Sequence, residues 1–302
     1  MNGGPRILIV GGSGQLGLEL QRSFAGTNPM VAVDRETMDL SVPDRIRAMV
    51  AEVKPDVILN AAAYTAVDRA ESEPEIAAAV NARAPRILAE EASKIGALLV
   101  HYSTDYVFDG TKRGPWTEED EPNPLSAYGA TKLTGEEAIR EVGGRYLIFR
   151  TSWVYGPHGK NFLLTMLKLG RERDQLRVVD DQSGAPTTSL ELARATRTIV
   201  DGALAGQFGA TEQWVGLYHM TCEGETTWYG FTHAIFARAG ALMGKRRLEI
   251  QPIPTSEYPT PAKRPRNSVL SNAKLRERFG VALPAWETAL DVVLAELTRI
   301  RA

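Results

Sequence analysis

Residues 6–24 constrain this chain more than any other stretch. Residues 6–10 (RILIV) are a short, continuous apolar run, as a parallel strand buried on both faces requires. Gly11-Gly12-Ser13-Gly14-Gln15-Leu16-Gly17 follows at once, and then LELQRSFA, a helical pattern. The glycines satisfy two spacings together, G-x-x-G-x-x-G at Gly11, Gly14 and Gly17, and G-x-G-x-x-G at Gly12, Gly14 and Gly17. Glycine permits the tight turn, lets backbone approach a pyrophosphate, and allows helix and strand to pack closely. The helix amino terminus then offers N–H groups and a positive dipole end to phosphates. A glycine turn alone is merely flexible; between a strand and a helix it predicts dinucleotide binding.

The alternation continues. A second strand over 30–33 ends in Asp34, where an acidic residue meets the adenosine ribose hydroxyls. Asp34 would repel a 2′-phosphate and so favours NADH, while Arg35 beside it suits the phosphate of NADPH; a turn or capping role for Asp34 is the bland alternative. Residues 43–53 predict a helix, 56–60 (DVILN) a strand, 74–95 one long helix, 97–101 (ALLVH) a strand and 146–149 (YLIF) another. Ala61-Ala62-Ala63 supplies small residues where a cofactor can press on backbone. Such repetition implies an α/β fold, a Rossmann-type doubly wound parallel sheet, with ligands at the strands' carboxyl ends. The pattern loosens from about Gly156, with helices at 161–173, 190–200 and 228–239, short strands at 176–179 and 217–220, a turn-rich loop at 181–187 and a proline-rich loop at 253–265. We expect an NAD(P)-binding domain over 1–150, completed by 174–216, and a smaller C-terminal α/β substrate-binding domain over 151–173 and 217–302.

The chemistry concentrates between His101 and Lys132. Ser103-Thr104-Asp105 ends an apolar run, and Tyr128 precedes Lys132 by four residues. On a helix that spacing puts phenol and ammonium on one face. A phenol ordinarily titrates near 10, about three units too high for acid–base work at neutral pH, and a neighbouring ammonium favours the phenolate. A hydroxyl from Ser103 or Thr104 at the strand end can orient the same oxygen. The set protonates a carbonyl oxygen as hydride arrives.

Composition excludes other classes. A net charge of −2 gives no footprint for nucleic acid or an anionic membrane. One cysteine, Cys222, forbids an internal disulfide and fits a reducing cytosol, and four histidines show no zinc spacing. No apolar run spans a bilayer and the amino terminus carries no signal-peptide pattern, so the expectation is a cytoplasmic protein. His101 and His158 have no partner carboxylate placed by the sequence and are read as satisfied or exposed histidines. Arg264 and Arg266 sit in a loop able to reach a diphosphate or simply solvated.

The glycine loop, Asn60-Ala61-Ala62-Ala63, Ser103-Thr104-Asp105-Tyr106-Val107-Phe108 and Tyr128-x-x-x-Lys132 resemble the extended short-chain dehydrogenase/reductase superfamily. Within it, NAAAYTAVDRAESEP, HYSTDYVFDG, FRTSWVYG, DDQSGAPT, GLYHM and YPTPAKRPRNS resemble the dTDP-4-dehydrorhamnose reductase family, in blocks running from Gly11 to Ser268. The resemblance implies reduction of the C4 ketone of a nucleotide sugar by NADPH or NADH in the biosynthesis of cell-envelope polysaccharide. By position it makes Tyr128 the proton donor, Lys132 the group that lowers its pKa and holds the nicotinamide ribose, and Thr104 the hydroxyl that orients the carbonyl. Asp105 and Trp153 match substrate contacts. Gly14, Gln15, Leu16, Asp34, Asp39, Leu40, Ala63, Tyr64 and Thr65 match cofactor contacts.

The resemblance also implies, for some members, a homodimer bridged by Mg2+ on glutamates. Glu19 and Glu287 match two such positions, but Leu190 stands at the third with Glu191 next to it. One helical step turns a side chain by about 100°, so Glu191 is no automatic substitute. Solvated helix charge is the favoured reading and no metal is assigned. Two alternatives stay open: a nucleotide-sugar dehydratase or epimerase, and a non-catalytic regulatory subunit of the same fold, as the regulatory β subunit of methionine adenosyltransferase resembles this reductase group. Dehydratases carry an acidic pair after the threonine, whereas Asp105 is followed here by Tyr106.

Overall fold

In a computed structural model, residues 4–26, 29–242 and 248–301 are described. Six strands make one parallel sheet: β1 (Ile7–Val10), β2 (Met30–Val33), β3 (Val57–Asn60), β4 (Leu98–Thr104), β5 (Tyr146–Thr151) and β6 (Gly216–His219). Their spatial order is β6-β5-β4-β3-β1-β2. The uninterrupted apolar runs are explained by two covered faces. Ile7, Ile9, Leu59, Val100 and Phe149 pack with Leu16, Leu20, Leu192 and Ile199 of the helices Gln15–Phe24 and Ser189–Leu204. Leu8, Val10, Ile58, Leu99 and Ile148 pack with Ile46, Val50, Leu88 and Ile139 of the helices Pro43–Val53, Ala84–Ile95 and Ala127–Val142. This is the doubly wound α/β fold expected.

The strand order turns at β1, which has β2 on one side and β3 on the other. A crevice therefore opens past the carboxyl ends of β1 and β3, where ligands of such sheets sit. β6 extends the sheet beyond β5, whereas Gln175–Val179 lies outside it and pairs in parallel with Glu249–Ile253. Shorter pairings, Val154–Tyr155 with Thr187–Thr188 and Ser183–Gly184 with Thr226–Thr227, tie the segments after β5 together. Among the described residues no helix is long and apolar enough to cross a membrane.

The single helix expected over 74–95 is broken. Pro74–Ala78 and Ala84–Ile95 are α-helical, but Ala79–Arg83 is a π turn in which the Ala84 N–H reaches Ala79 O. Pro85 has no N–H to return to the carbonyl four residues back, which belongs to Asn81. That carbonyl instead lies against Gly135 of the helix Ala127–Val142, where a Cβ would come within 2.1 Å of it. The two helices approach this closely only because residue 135 is glycine.

Candidate active site

The glycine loop forms the floor of the crevice. The N–H groups of Gly11 and Gly12 both donate to Val33 O, at 2.9 and 2.8 Å, which ties the loop to the end of β2. Gly11 has φ +84°, and a Cβ there would lie 2.8 Å from Ala62 N. A Cβ on Gly17 would lie 2.1 Å from Gly11 O, so the helix start nests in the turn. Gly14 occupies the N-cap of the helix Gln15–Phe24 without a side-chain cap, leaving first-turn N–H groups for an anion. Such a cradle fits a pyrophosphate. Leu16 is buried below it, and Gln15 reaches across to Val154 O at 3.2 Å and receives Asn161 Nδ2 at 3.3 Å.

Beside the loop, a groove of about 610 Å³ is lined by Ser13, Asp34, Arg35, Glu36 and Asp39. One oxygen of Asp34 is already engaged: Oδ1 accepts from Glu36 N, Thr37 N and Thr37 Oγ1, each at 3.1 Å. Those bonds, Thr37's first, hold its carboxyl below the usual carboxylate range. Asp34 thus caps a turn while facing the groove, and Arg35 stands beside it with its guanidinium 86% exposed. Asp39 accepts from Ser41 N and Oγ at 2.8 and 2.7 Å, and Leu40 is buried in the core behind.

Ala61, Ala62, Ala63, Tyr64 and Thr65 form the loop leaving β3 and make the opposite wall, with Ala62 against Gly11. Asn81, at the π turn, grips this wall. Its Oδ1 accepts Tyr64 N at 2.8 Å, while Nδ2 donates to Tyr64 O at 3.1 Å and to Thr131 Oγ1 at 3.3 Å. The sequence reading missed Asn81; a lone asparagine four residues before a proline in a helical pattern was the available signal.

Ser103 and Thr104 face opposite sides of β4, so only one can serve the reacting oxygen. Ser103 Oγ, assigned to cofactor binding from the sequence, donates instead to buried Glu136, and Glu136 is gripped by Arg150 Nη2 at 2.7 Å and Nε at 3.0 Å. Thr104 lies within hydrogen-bonding reach of the Tyr128 hydroxyl, and its own hydroxyl donates to Asp105 Oδ1 at 2.9 Å. Tyr128 occupies the second position of the helix Ala127–Val142, whose N-cap Ser126 accepts Gly129 N at 3.2 Å. Its ring packs edge-on against Tyr106, centroids 5.7 Å apart.

Charges in this pocket differ from the sequence expectation. Burial pushes Tyr128 up to about 12, partly offset by the Thr104 bond, and Asp105 adds to the rise. Lys132 does not offset it: its ammonium donates to Tyr102 O at 2.6 Å and lies 3.2 Å from His101 Nε2. Burial lowers Lys132 itself to about 8, with Glu136 opposing. Asp105 is raised to about 6 by burial, against bonds from Ser268 and Thr104.

Trp153 stands at the mouth in a left-handed conformation (φ +48°), stacked on Trp228 with centroids 3.5 Å apart. Gly184 lies against its ring, where a Cβ would come within 2.5 Å. Strain of this kind in a bulky residue costs about 1–3 kcal/mol and gathers at ligand sites. Arg264 arrives from the proline-rich loop to bond Asp68 Oδ2 at 3.0 Å and the Tyr106 hydroxyl, a partnership the sequence did not reveal. Arg266 remains 79% exposed, 3.6 Å from Asp181.

The metal reading fares differently. Glu19, His158 and Glu296 bring ligand atoms within 4.8 Å of one another, a group that includes neither Glu191, which pairs with Arg194 at 2.8 Å, nor Glu287. Arg22 bonds all three members, at 3.0 Å to Glu19, 2.9 Å to Glu296 and 2.9 Å to His158. A mixed nitrogen–oxygen set already bonded at every member by a guanidinium does not fit Mg2+, which demands an oxygen octahedron.

Comparison with known proteins agrees with this geometry. Residues 5–299 match the RmlD substrate binding domain family. The dTDP-4-dehydrorhamnose reductase of Burkholderia thailandensis is 48% identical over 97% of this chain and 99% of its own length, and that of Escherichia coli K12 is 44% identical over 96% and 97%. Among solved structures, a dTDP-4-dehydrorhamnose reductase from Clostridium acetobutylicum superposes with a TM-score of 0.89 at 40% identity, covering 97% of this chain and 99% of that one. The Bacillus anthracis enzyme in complex with NADP gives 0.88 at 33% identity over the same shares. The chain is an oxidoreductase of the extended short-chain dehydrogenase/reductase fold and belongs to the dTDP-4-dehydrorhamnose reductase family.

Proposed function

We propose that this enzyme reduces the C4 ketone of dTDP-4-dehydro-L-rhamnose to dTDP-L-rhamnose, with NADPH or NADH as hydride source, as a step toward cell-envelope polysaccharide. The observation that carries the reading is Thr104 beside Tyr128 at the carboxyl end of β4, in one parallel sheet with the phosphate cradle at Gly11. Gly11, Gly14 and Gly17 would hold the pyrophosphate of the dinucleotide, whose reduced nicotinamide would supply hydride to C4. Tyr128 gives its hydroxyl proton to the C4 oxygen. Thr104 aims the phenol: because its own hydrogen goes to Asp105 and one lone pair takes the Tyr106 N–H, its remaining lone pair faces the Tyr128 O–H until the C4 oxygen replaces it as acceptor. Lys132 keeps N–H capacity for the nicotinamide ribose, since an ammonium has three donors and two are engaged. Asp105 and Trp153 meet the sugar nucleotide.

Gly11, Gly14, Gly17 and the loop from Ala61 to Thr65 embrace the dinucleotide, and Arg35 beside partly committed Asp34 supports NADPH as the better donor. Residues 1–150 with the helix Ser189–Leu204 and β6 form the nucleotide-binding part, and the remainder the substrate lobe. A cytoplasmic enzyme suits the single buried thiol of Cys222. A homodimer has a candidate face in the groove of about 920 Å³ bordered by Glu19, Arg22, Leu190, Arg194 and Glu296.

The test is turnover: purified protein, dTDP-4-dehydro-L-rhamnose, and the absorbance of reduced nicotinamide. Sugar-dependent loss of NADPH or NADH is expected. Tyr128→Phe should lower kcat about 10²–10⁴-fold, as loss of a general acid does, with cofactor affinity retained. Tight cofactor binding without oxidation would point to another nucleotide sugar or to a regulatory subunit.

A further inference from the structure

Two side chains that the mechanism above leaves unexplained, Asn60 and His101, form a buried line with Lys132. Asn60 on β3, His101 on β4 and Lys132 on the helix Ala127–Val142 are each 1% exposed. Lys132 Nζ lies 3.2 Å from His101 Nε2, and His101 Nδ1 lies 2.9 Å from the Asn60 amide. An ammonium only donates, so Nε2 must accept and carry no proton. Burial, reinforced by the Lys132 charge, holds His101 well below the usual histidine range and therefore neutral. A neutral ring with a bare Nε2 carries its hydrogen on Nδ1, and that N–H needs an acceptor. Among the described residues Asn60 is the only side chain bonded to it, and Asn60 Oδ1 is a buried atom with no hydrogen-bond partner. The two ends of an amide are assigned from the bonds they make, and turning Asn60 over presents Oδ1 to Nδ1–H.

We propose that His101 is a positioning residue for Lys132: Asn60 selects its Nδ1–H tautomer, Nε2 takes one ammonium hydrogen, Tyr102 O takes the second, and the third is aimed at the cofactor ribose. This rests on the reductase reading of the site. The charged groups around Lys132 leave His101 that task. Glu136, on the same helix, is committed to Arg150 of β5 and Ser103 of β4; β3 contributes uncharged Asn60, and β4 contributes His101 and a carbonyl. With Lys132 lowered to about 8, the ammonium is lost just above neutral pH, and an acceptor at Nε2 is what favours its charged form. Without it, the charge is lost at lower pH.

Two measurements decide. In the wild-type protein with ¹⁵N-histidine, NMR should show His101, identified by the signal missing from His101→Gln, as the Nδ1–H tautomer at every pH where the fold persists. An Nε2–H tautomer, or a ring that gains a second proton near pH 6, overturns the proposal, and this result needs no active variant. In the second, the basic limb of kcat at saturating NADPH should move about one unit acid-ward in His101→Leu. It should return to its wild-type position in His101→Gln, whose Oε1 can accept the ammonium. Equal displacement in both variants, or in neither, also overturns it. If the wild-type protein fails to turn over the sugar, the reductase reading falls while the tautomer still tests the line of bonds.

Discussion

Gly11→Ala tests whether the cradle is as tight as it looks. At φ +84° a side chain is strained by about 1–2 kcal/mol. The new methyl would stand 2.8 Å from Ala62 N and 2.9 Å from Ala62 Cα and Cβ. Backbone on β3's exit loop cannot swing aside as a side chain can, so the loop must retreat, and overpacking of this kind costs about 1–3 kcal/mol. The total is about 2–5 kcal/mol. For a chain of this size each kcal/mol moves the melting temperature by about 2–4 °C, so a fall of roughly 5–15 °C is expected. Because the retreating loop carries Ala61, Ala62, Ala63, Tyr64 and Thr65, cofactor affinity should fall at least tenfold, while kcat at saturating cofactor stays near wild type. Thermal unfolding with and without NADPH, and fluorescence titration of NADPH, read both effects. Gly96→Ala is the control: φ is +70° there too, but nothing lies within 4 Å of the added Cβ, so stability should fall by only about 1 kcal/mol and affinity not at all. If Gly11→Ala behaved like Gly96→Ala, the contact with Ala62 would not be what demands glycine.

Three further outcomes follow from the same site. Asp105 is raised from 3.8 to about 6, so its contribution to stability is complete below about pH 4 and lost as pH rises through 6. Asp105→Asn should therefore be more stable than wild type above pH 6, by about 2–3 kcal/mol on 1.36 kcal/mol per unit, yet slower with the sugar; a variant no more stable at pH 7 than wild type would refute the buried-carboxylate account. Glu136→Gln leaves Arg150 a buried, unpaired cation and should cost about 3–5 kcal/mol in urea unfolding; a loss under 1 kcal/mol would mean water reaches the pair. Arg35→Glu should raise KM for NADPH about tenfold or more while sparing NADH, and equal effects on the two would remove Arg35 from the 2′-phosphate site.

What was legible in the sequence was local. The glycine loop, the strands buried on both faces and the Tyr128–Lys132 spacing are written in neighbouring residues, and each predicts its own element. Partnerships across the chain left no such trace. Arg264 meets Asp68 from 196 residues away, and Trp153 stacks on Trp228 through a left-handed residue that nothing in RTSWVYG announces. The same limit explains Lys132: its spacing from Tyr128 is right, but which atoms take its hydrogens depends on His101 and Tyr102, on a strand 30 residues earlier. The strand over 175–179 reads like any edge strand, and only the fold shows that it leaves the main sheet while Gly216–His219 joins it.

The choice between reduction and dehydration on this scaffold turns on one position. Elimination from the sugar needs a second acid or base beside the phenol, and Tyr106 stands where an acidic neighbour would follow Asp105. Burial and the Asp105 charge raise the Tyr106 hydroxyl far above neutral, and Arg264 holds it in a bond braced by Asp68. A phenol so placed stays protonated throughout the working range, and its edge-on packing against Tyr128 leaves it wedged beside the catalytic ring. Asp105 is the carboxyl at the end of β4, and half of it is spent in accepting the Thr104 hydrogen. One oriented proton donor and one supporting carboxyl suffice to protonate a ketone as hydride arrives; elimination needs two independent groups. The arrangement therefore favours reduction, with an arginine-anchored ring beside Asp105 rather than a second acid.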